Sequence, residues 1–374
     1  MSFMVKIGLG LIKSGLGIIL FLGTIALPHA QADWKSKWEK TVKAAKKEGK
    51  IVLYMRTYEP VLQIFMQEFP EIKAITITGR GSALGGRIMA ERRAGKYLVD
   101  IYVGGPHTVS SILIPAKVLD PIPDKLILPE VRDESKWITG KHRYTDPQRK
   151  YNFALIANPN SGRLGYNVNL VNPKEFKSRK DLLNPKWRGK IISLEPTLRR
   201  LGGITQFIYY HPALGPGYFK KLFGEMDITF SRDPRQLTDW LGAGKFAICL
   251  GCLDLLQARE QGLPVNTFTS DDWKEGASFS TGGGSLSLIN RAPHPNAAKV
   301  FINWFLSPRG QITLQKLGRP ASPPNSGRVD IPKDDVIPEN RLLPGRKYFD
   351  ASRPEWQDME PILKLAREIL AARK

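Results

Sequence analysis

Apolar residues fall at helical spacing in some stretches and in short unbroken runs in others, and the two kinds alternate along the chain. Trp34, Trp38, Val42 and Ala45 share one face of a helix over 34–48, which Gly49 stops. The run 50–55 (KIVLYM) has the length and apolar content of a buried strand. Val61, Leu62, Phe65, Met66 and Phe69 give a helix over 59–69 a single apolar face. The strand–helix pair repeats at 72–78 and 82–94, and a third strand over 99–103 leads into Gly104-Gly105-Pro106. Repeated β–α units predict an α/β fold, a mostly parallel sheet with helices on both faces.

Residues 120–160 are rich in proline, arginine and aspartate and break this rhythm. A second α/β section then follows, with strands at 163–167, 190–194 and 246–250 and helices near 203–212 and 234–242. The glycine run 282–284 leads to a strand over 286–290, then to a helix over 296–306 whose Val300, Phe301, Trp304 and Phe305 form one stripe. A proline-rich segment over 319–356 and a last helix over 355–372 complete the pattern. The plan is two α/β lobes hinged by extended crossings. The first lobe takes 33–160 and 282–318, the second 161–281, and 319–374 form a C-terminal wrap and helix on the second lobe.

The first 32 residues stand apart from this plan. Lys6 and Lys13 precede a 14-residue apolar stretch, Ser14 to Leu27, and Ala30-Gln31-Ala32 supplies a small-x-small cleavage pattern. The stretch is short of the ~20 residues a spanning helix needs, so it reads as a secretory signal peptide cut after Ala32, and the protein is expected in the periplasm. The whole chain of 374 residues carries a net charge of +21, and removing the two leader lysines leaves +19. Such a field favours anionic partners, and export points to a small solute instead of nucleic acid. Cys249 and Cys252 are the only cysteines. In an oxidising compartment they either close as a disulfide or stay as small free thiols.

In sheets of this kind ligands bind beyond the carboxyl ends of the strands. Those ends hold Arg56, Thr57 and Tyr58, then Arg80, Gly81 and Ser82, then Gly105 and His107, then Glu195, Arg199 and Arg200, and finally Cys252. The stretch "ITGRGSALGGRIMAERRAG", Ile77 to Gly95, has the spacing G-x-G-x-x-x-G on a second strand, which is not the dinucleotide pattern, and it lacks the lysine of a phosphate-binding P-loop. It fits a helix N-terminus capped by Ser82, whose amides and Arg80 attract an anion. The adjacent Arg199 and Arg200, ahead of Gly202-Gly203, repeat that device. No G-x-S-x-G elbow and no H-E-x-x-H helix occurs, and the five histidines are scattered. No catalytic residue, cofactor or metal ligand is assigned.

Three segments carry a resemblance: "SLSLINRAPHPNAAKVFINWFLSPRGQ" (285–311), "LGYNVNLVNP" (164–173) and "DLLNPKWRGKIISLEP" (181–196). The sequence resembles bacterial extracellular solute-binding proteins of ABC transporters, in the branch for ferric iron, thiamine, phosphonates and polyamines. The resemblance implies a type II two-lobe trap that delivers a solute to an inner-membrane permease, as a monomer and without bond chemistry. It also marks Pro293-His294-Pro295-Asn296 as a structural signature. Ferric-binding members carry a tyrosine pair where this chain has Gly251, Cys252 and Leu253; Tyr209 and Tyr210 lie mid-helix instead. A small anionic solute is therefore the expected ligand. Ferric iron held by other ligands, an enzyme with Cys252 as nucleophile, and a sensor subunit are the rival expectations.

Overall fold

A computed structural model of the chain describes residues 27–56, 58–160, 164–318 and 323–373, without the side chains of residues 27–32, Arg199 and Glu339. Residues 1–26 and Thr57 lie outside the described residues, and with them most of the expected signal peptide. The helices are α1 (Leu27–Glu48), α2 (Glu59–Glu68), α3 (Gly81–Arg93), α4 (Pro106–Thr108), α5 (Pro129–Arg132), α6 (Gly202–Tyr210), α7 (Gly215–Lys220), α8 (Pro234–Gly242), α9 (Leu255–Glu260), α10 (Pro295–Leu306), α11 (Pro308–Leu317) and α12 (Glu360–Ala372). The strands are β1 (Lys50–Met55), β2 (Lys73–Thr78), β3 (Ile101–Gly104), β4 (Leu119–Asp120), β5 (Phe153–Ala154), β6 (Asn158–Pro159), β7 (Leu164–Asn167), β8 (Ile191–Leu194), β9 (Thr229–Ser231), β10 (Ile248–Leu250), β11 (Val265–Thr267), β12 (Ala277–Ser280), β13 (Ser285–Ile289) and β14 (Tyr348–Asp350). Helix α1 runs unbroken through Ala30–Ala32, where the cleavage pattern lies. No helix of the described residues is long and apolar enough to cross a membrane.

The strands form two large sheets and a small one. The first runs β2-β1-β3-β13-β4, with β5 also paired to β13, and the second runs β11-β7-β10-β8-β9. In the first, β1 is parallel to β2 and β3, and in the second β8 is parallel to β9 and β10. The exceptions have one cause. β13 and β7 arrive from the opposite lobe, so they run away from the gap between the lobes and lie antiparallel to β3 and β10. The third sheet, β14-β12-β6, joins strands of the two crossings to one from the C-terminal segment.

Alternation along β1 shows how the sequence sets the first lobe. Ile51, Leu53 and Met55 enter a core with α1, α2, α10 and α11, while Tyr54 faces a second core with α3. Phe65 meets Phe301 and Trp304 edge-on at 5.3 and 5.2 Å, which locks α2 to α10. The His294 signature is a clasp. Buried Asp100 accepts from the Val52 N–H (2.7 Å) and the His294 N–H (2.8 Å), and His294 Nδ1 lies 2.8 Å from its Oδ2. Burial raises the Asp100 pKa, and these bonds offset only part of the rise. The second lobe's core gathers Ile191, Ile248 and Phe219 and includes Ile362, Leu365 and Ile369 of α12. Tyr210 stacks on Trp356 at 6.0 Å and donates to the Asp358 carbonyl at 2.5 Å, so it fastens α6 to the C-terminal segment.

The C-terminal wrap does not lie wholly on the second lobe, as the sequence suggests. Residues 325–330 pack on the first. Fully buried Arg328 donates to the Glu130 and Leu306 carbonyls at 2.9 and 3.0 Å and forks onto Asp330 at 2.8 and 2.7 Å. A guanidinium can be buried there because carbonyls and a carboxylate satisfy its donors, a polar reason that hydrophobic periodicity does not show.

Candidate functional site: a polar cleft between the lobes

The strand directions decide where the site lies. β1 and β3 end at Met55 and Gly104, so Arg56 and Gly105–His107 emerge side by side at one rim of the first lobe. β13 begins opposite the end of β3, with Ser285 paired to Gly104, which brings the Gly282-Gly283 turn to the same rim. Gly283 lies under Arg56: a Cβ there would stand 3.5 Å from Arg56 Cδ. Across the gap, β8, β10 and β11 end toward Arg200, Leu253–Leu256 and Thr267. A cleft of about 880 Å³ lies between these rims. Its back wall comes from hinge and C-terminal residues, among them Asn158, Asn160, Ser280, Ser352 and Gln357.

The lining is cationic and polar. Arg56 and Arg200 are exposed and stand on opposite walls, and His107 is exposed beside Arg56's rim. Arg56 forms no salt bridge among the described residues. Asp254 is the one carboxylate of the wall among the described residues, held at a left-handed φ of 54°. Gly202 and Gly203 open α6 onto the cleft, with Leu201 at the N-cap position and no side-chain cap. The helix continues directly from a 3-10 turn over Arg199–Leu201, and its N-terminal end carries partial positive charge. Gly203 lies against the Asn160 amide, 3.4 Å from where its Cβ would stand. Behind the first rim, burial raises the Tyr102 pKa, while Thr108 and the Arg56 charge act to lower it.

Of the residues singled out in the sequence, Arg56, Gly105, His107 and Arg200 meet at this cleft. Thr57 and the Arg199 side chain are outside the described residues. The others are placed elsewhere. Tyr58 is buried in the first core, its ring within 3.3 Å of where a Gly318 Cβ would be, because the chain turns inward to start α2. Arg80 and Ser82 are exposed beyond the cleft wall. Ser82 is not a cap: α3 starts one residue earlier, at Gly81, and Arg80 takes the N-cap position without a side-chain bond. Gly81 permits another close approach, as a Cβ there would stand 2.7 Å from Thr108 Oγ1 and 2.9 Å from the Tyr102 hydroxyl. Glu195 is turned to its own loop, bonded by the Thr197 hydroxyl and 3.7 Å from Arg232.

Cys252 is joined to Cys249 in a disulfide, and both are buried in the second core. It is neither a cleft contact nor a thiolate, which removes the nucleophile reading. The bridge closes a short loop just ahead of the cleft residues Leu253–Leu256. Replacing both cysteines by alanine is expected to cost about 2 kcal/mol on the chain-entropy scale for so small a loop. Denaturant titration measures this, and alkylation of the native, unreduced protein should add no mass.

The C-terminal contributors to the wall were beyond reach in the sequence, since nothing local marks Ile337, Asn340 or Gln357 as cleft residues. The Gly282-Gly283 turn was visible as a crossing, but its place at the rim follows from β13 running antiparallel to β3, which the sequence does not mark.

Two lobes joined by crossing strands, with a polar cleft at the strand ends, define the fold of a type II periplasmic binding protein. Solved structures of that fold superpose on the chain. One is Trichodesmium IdiA (FutA) in complex with iron and citrate, at TM-score 0.64 and 18% identity, covering 86% of this chain and 99% of that one. Another is AfuA from Actinobacillus pleuropneumoniae with fructose-6-phosphate bound, at TM-score 0.54 and 19% identity, covering 86% and 98%. A third is iron-bound HitA from Pseudomonas aeruginosa, at TM-score 0.56 and 16% identity, covering 86% and 99%. No protein-family profile and no curated protein matches the sequence.

Proposed function

We propose that the chain is the solute-binding component of an ABC transporter, which captures a small anionic solute in the periplasm and hands it to an inner-membrane permease. The observation that carries this reading is the pair Arg56 and Arg200 on facing walls of one cleft. A ligand shifts a conformational equilibrium only by its differential affinity. An anion that needs both guanidinium groups favours the closed form, so capture and closure are the same event. The positive N-terminal end of α6 favours a phosphoryl or carboxylate group, and the serine, asparagine and glutamine side chains suit hydroxyls. A phosphorylated or phosphonate polyol, or an organic carboxylate, is the substrate class. The fructose-6-phosphate named for the Actinobacillus protein belongs to it.

Ferric iron is the less favoured ligand. The cleft wall has a single carboxylate and no tyrosine among its described residues, and a hard cation prefers clustered oxygen anions. Thermal-shift titration with fructose 6-phosphate, inorganic phosphate, citrate and ferric chloride separates the two readings. At least one of the anions alone should raise Tm by some 4–8 °C at saturation and lower the radius of gyration in small-angle scattering. A response confined to ferric ion would overturn the proposal.

A further inference from the structure

The first sheet has an end that faces away from the cleft, at the amino ends of its parallel strands. Each strand of the path β2-β1-β3-β13-β4 brings a cation to it. Lys50 and Lys73 open β1 and β2 as register partners. Leu53 pairs with Ile101, so the same register carried back sets Lys50 beside Leu98, two residues after Lys96. Leu288 pairs with Ile101 from the other side, so Arg291 leaves β13 beside Leu98 as well. Asn290 Nδ2 donates to the Lys117 carbonyl at 2.8 Å, which brings Lys117, just ahead of β4, next in line. All five cations are exposed. Neighbouring strands are about 4.8 Å apart, so the row is on the order of 20 Å long and follows the sheet.

These charges are not balanced within the fold. None of the five makes a salt bridge among the described residues. The carboxylates near this end are engaged or withdrawn. Glu71 pairs with Lys46 at 2.7 Å, and Glu48 accepts from the Asn296 and Ala297 N–H groups at 3.0 and 2.8 Å. Asp100 is buried in the His294 clasp, and Asp120 is half-buried within β4. Arg92 adds to the crowding: it and Arg291 face the same Tyr97 ring at 4.4 and 5.3 Å, and Arg291 Nη1 lies 2.6 Å from the Tyr97 hydroxyl, to which it donates. The matching end of the second lobe is different, since there Lys186 pairs with Glu175 and Arg373 with Asp227 at 3.5 Å.

The middle of the row is apolar. Leu98 is 45% exposed, and the half-buried Tyr97 stands next to it. A straight line of cations around an exposed leucine and a tyrosine matches the headgroup region of an anionic bilayer. Ammonium and guanidinium groups meet phosphates there, while apolar side chains enter the acyl boundary. A nucleic acid would engage the cations and leave Leu98 in water.

We propose that this end of the first lobe is a docking surface for an anionic phospholipid bilayer, with Lys73, Lys50, Lys96, Arg291 and Lys117 on the headgroups and Leu98 between them. The surface lies a strand's length from the cleft and does not depend on the solute reading. Docked this way, the protein keeps its cleft open to solvent while it is held at the membrane.

Vesicle co-sedimentation of protein recovered from the periplasm tests this. The protein should bind vesicles of equal parts phosphatidylglycerol and phosphatidylcholine, bind pure phosphatidylcholine far less, and be released by molar sodium chloride. Each cation near such a surface contributes about fivefold in partitioning. Lys50→Gln, Lys73→Gln and Lys96→Gln together should therefore weaken binding roughly a hundredfold, with Tm unchanged because all three are exposed. Leu98→Ser should weaken it several-fold without changing its salt dependence. The control removes as many charges from exposed positions of the second lobe, Lys174→Gln, Lys220→Gln and Lys245→Gln, and should leave binding within about twofold on the Debye-length argument. Absence of binding to the anionic vesicles overturns the proposal. Equal losses in the two triple variants overturn it too, since net charge alone would then drive association. If the first triple variant loses affinity for a DNA duplex but keeps it for vesicles, the surface serves a polyanion and the proposal falls. No variant here touches a cleft residue, so these outcomes are separate from the anion response of the cleft.

Discussion

Arg56→Glu should abolish the anion-dependent rise in Tm and weaken solute binding on the order of 100-fold or more. The side chain lies along the Gly283 turn at the end of β1 and has no carboxylate partner among the described residues. Its charge is therefore available to a ligand. Removing one member of a desolvated charge pair costs roughly 2–5 kcal/mol, and each 1.4 kcal/mol is about tenfold in affinity. Reversal adds repulsion to that loss. Stability should barely move, since the residue is exposed. Isothermal titration with the responding anion measures the affinity, and Arg56→Lys should restore part of it, as a point charge replaces a planar fork. Retained affinity in Arg56→Glu would remove this residue from the site and with it the facing-guanidinium argument.

Much of the fold is legible in the sequence because its strands are short apolar runs bounded by glycine and its helices have single apolar faces. KIVLYM is the clearest case: all six residues form β1, and its alternation divides the two cores of the first lobe. α10 is another, predicted over 296–306 and found as Pro295–Leu306. Helix α11 was not anticipated, since its pattern is mixed and only the Ser307 cap, which accepts from the Gly310 N–H at 3.2 Å, marks its start. The third sheet was not legible at all. Its strands are two to four residues long and pair over long stretches of chain, Phe279 with Pro159 and Ala277 with Tyr348, so no local signal defines them.

The site divides along the same line. Residues just after a parallel strand, such as Arg56 and Gly105, could be placed at the rim from topology alone. Tyr58 and Cys252 sit within a few residues of strand ends too, yet both are buried, because the next helix or a cross-link turns the chain back into a core. Which way a side chain faces depends on φ and ψ two residues away, and hydrophobic pattern does not encode that. The hinge and C-terminal wall residues are brought in by long-range pairing, which a single sequence does not reveal.

The hinge itself rests on a polar pair, and breaking it should be the most destabilising single change proposed here. Arg143 is buried where the first lobe meets the third sheet. Its Nε and Nη2 donate to the two carboxylate oxygens of Asp350 at 2.7 and 2.9 Å, and Nη1 donates to the Ile156 carbonyl at 3.1 Å. The guanidinium also faces the Phe279 ring at 4.6 Å. Asp350 ends β14, and the next residues, Ala351 and Ser352, line the cleft. Asp350→Ala leaves the guanidinium buried and short of two bonds, which costs about 3–5 kcal/mol and lowers Tm on the order of 10 °C. Asp350→Leu with Arg143→Met removes both charges together. Because a buried pair replaced by apolar groups is often near neutral, the double variant should regain most of the loss. A thermodynamic cycle over the parent, Asp350→Leu, Arg143→Met and the double variant, followed by calorimetry, measures the coupling. If Asp350→Ala melts with the parent, the pair contributes nothing to the hinge. If it melts early but binds the anion with parent affinity, the pair stabilises the fold without shaping the cleft wall that follows it.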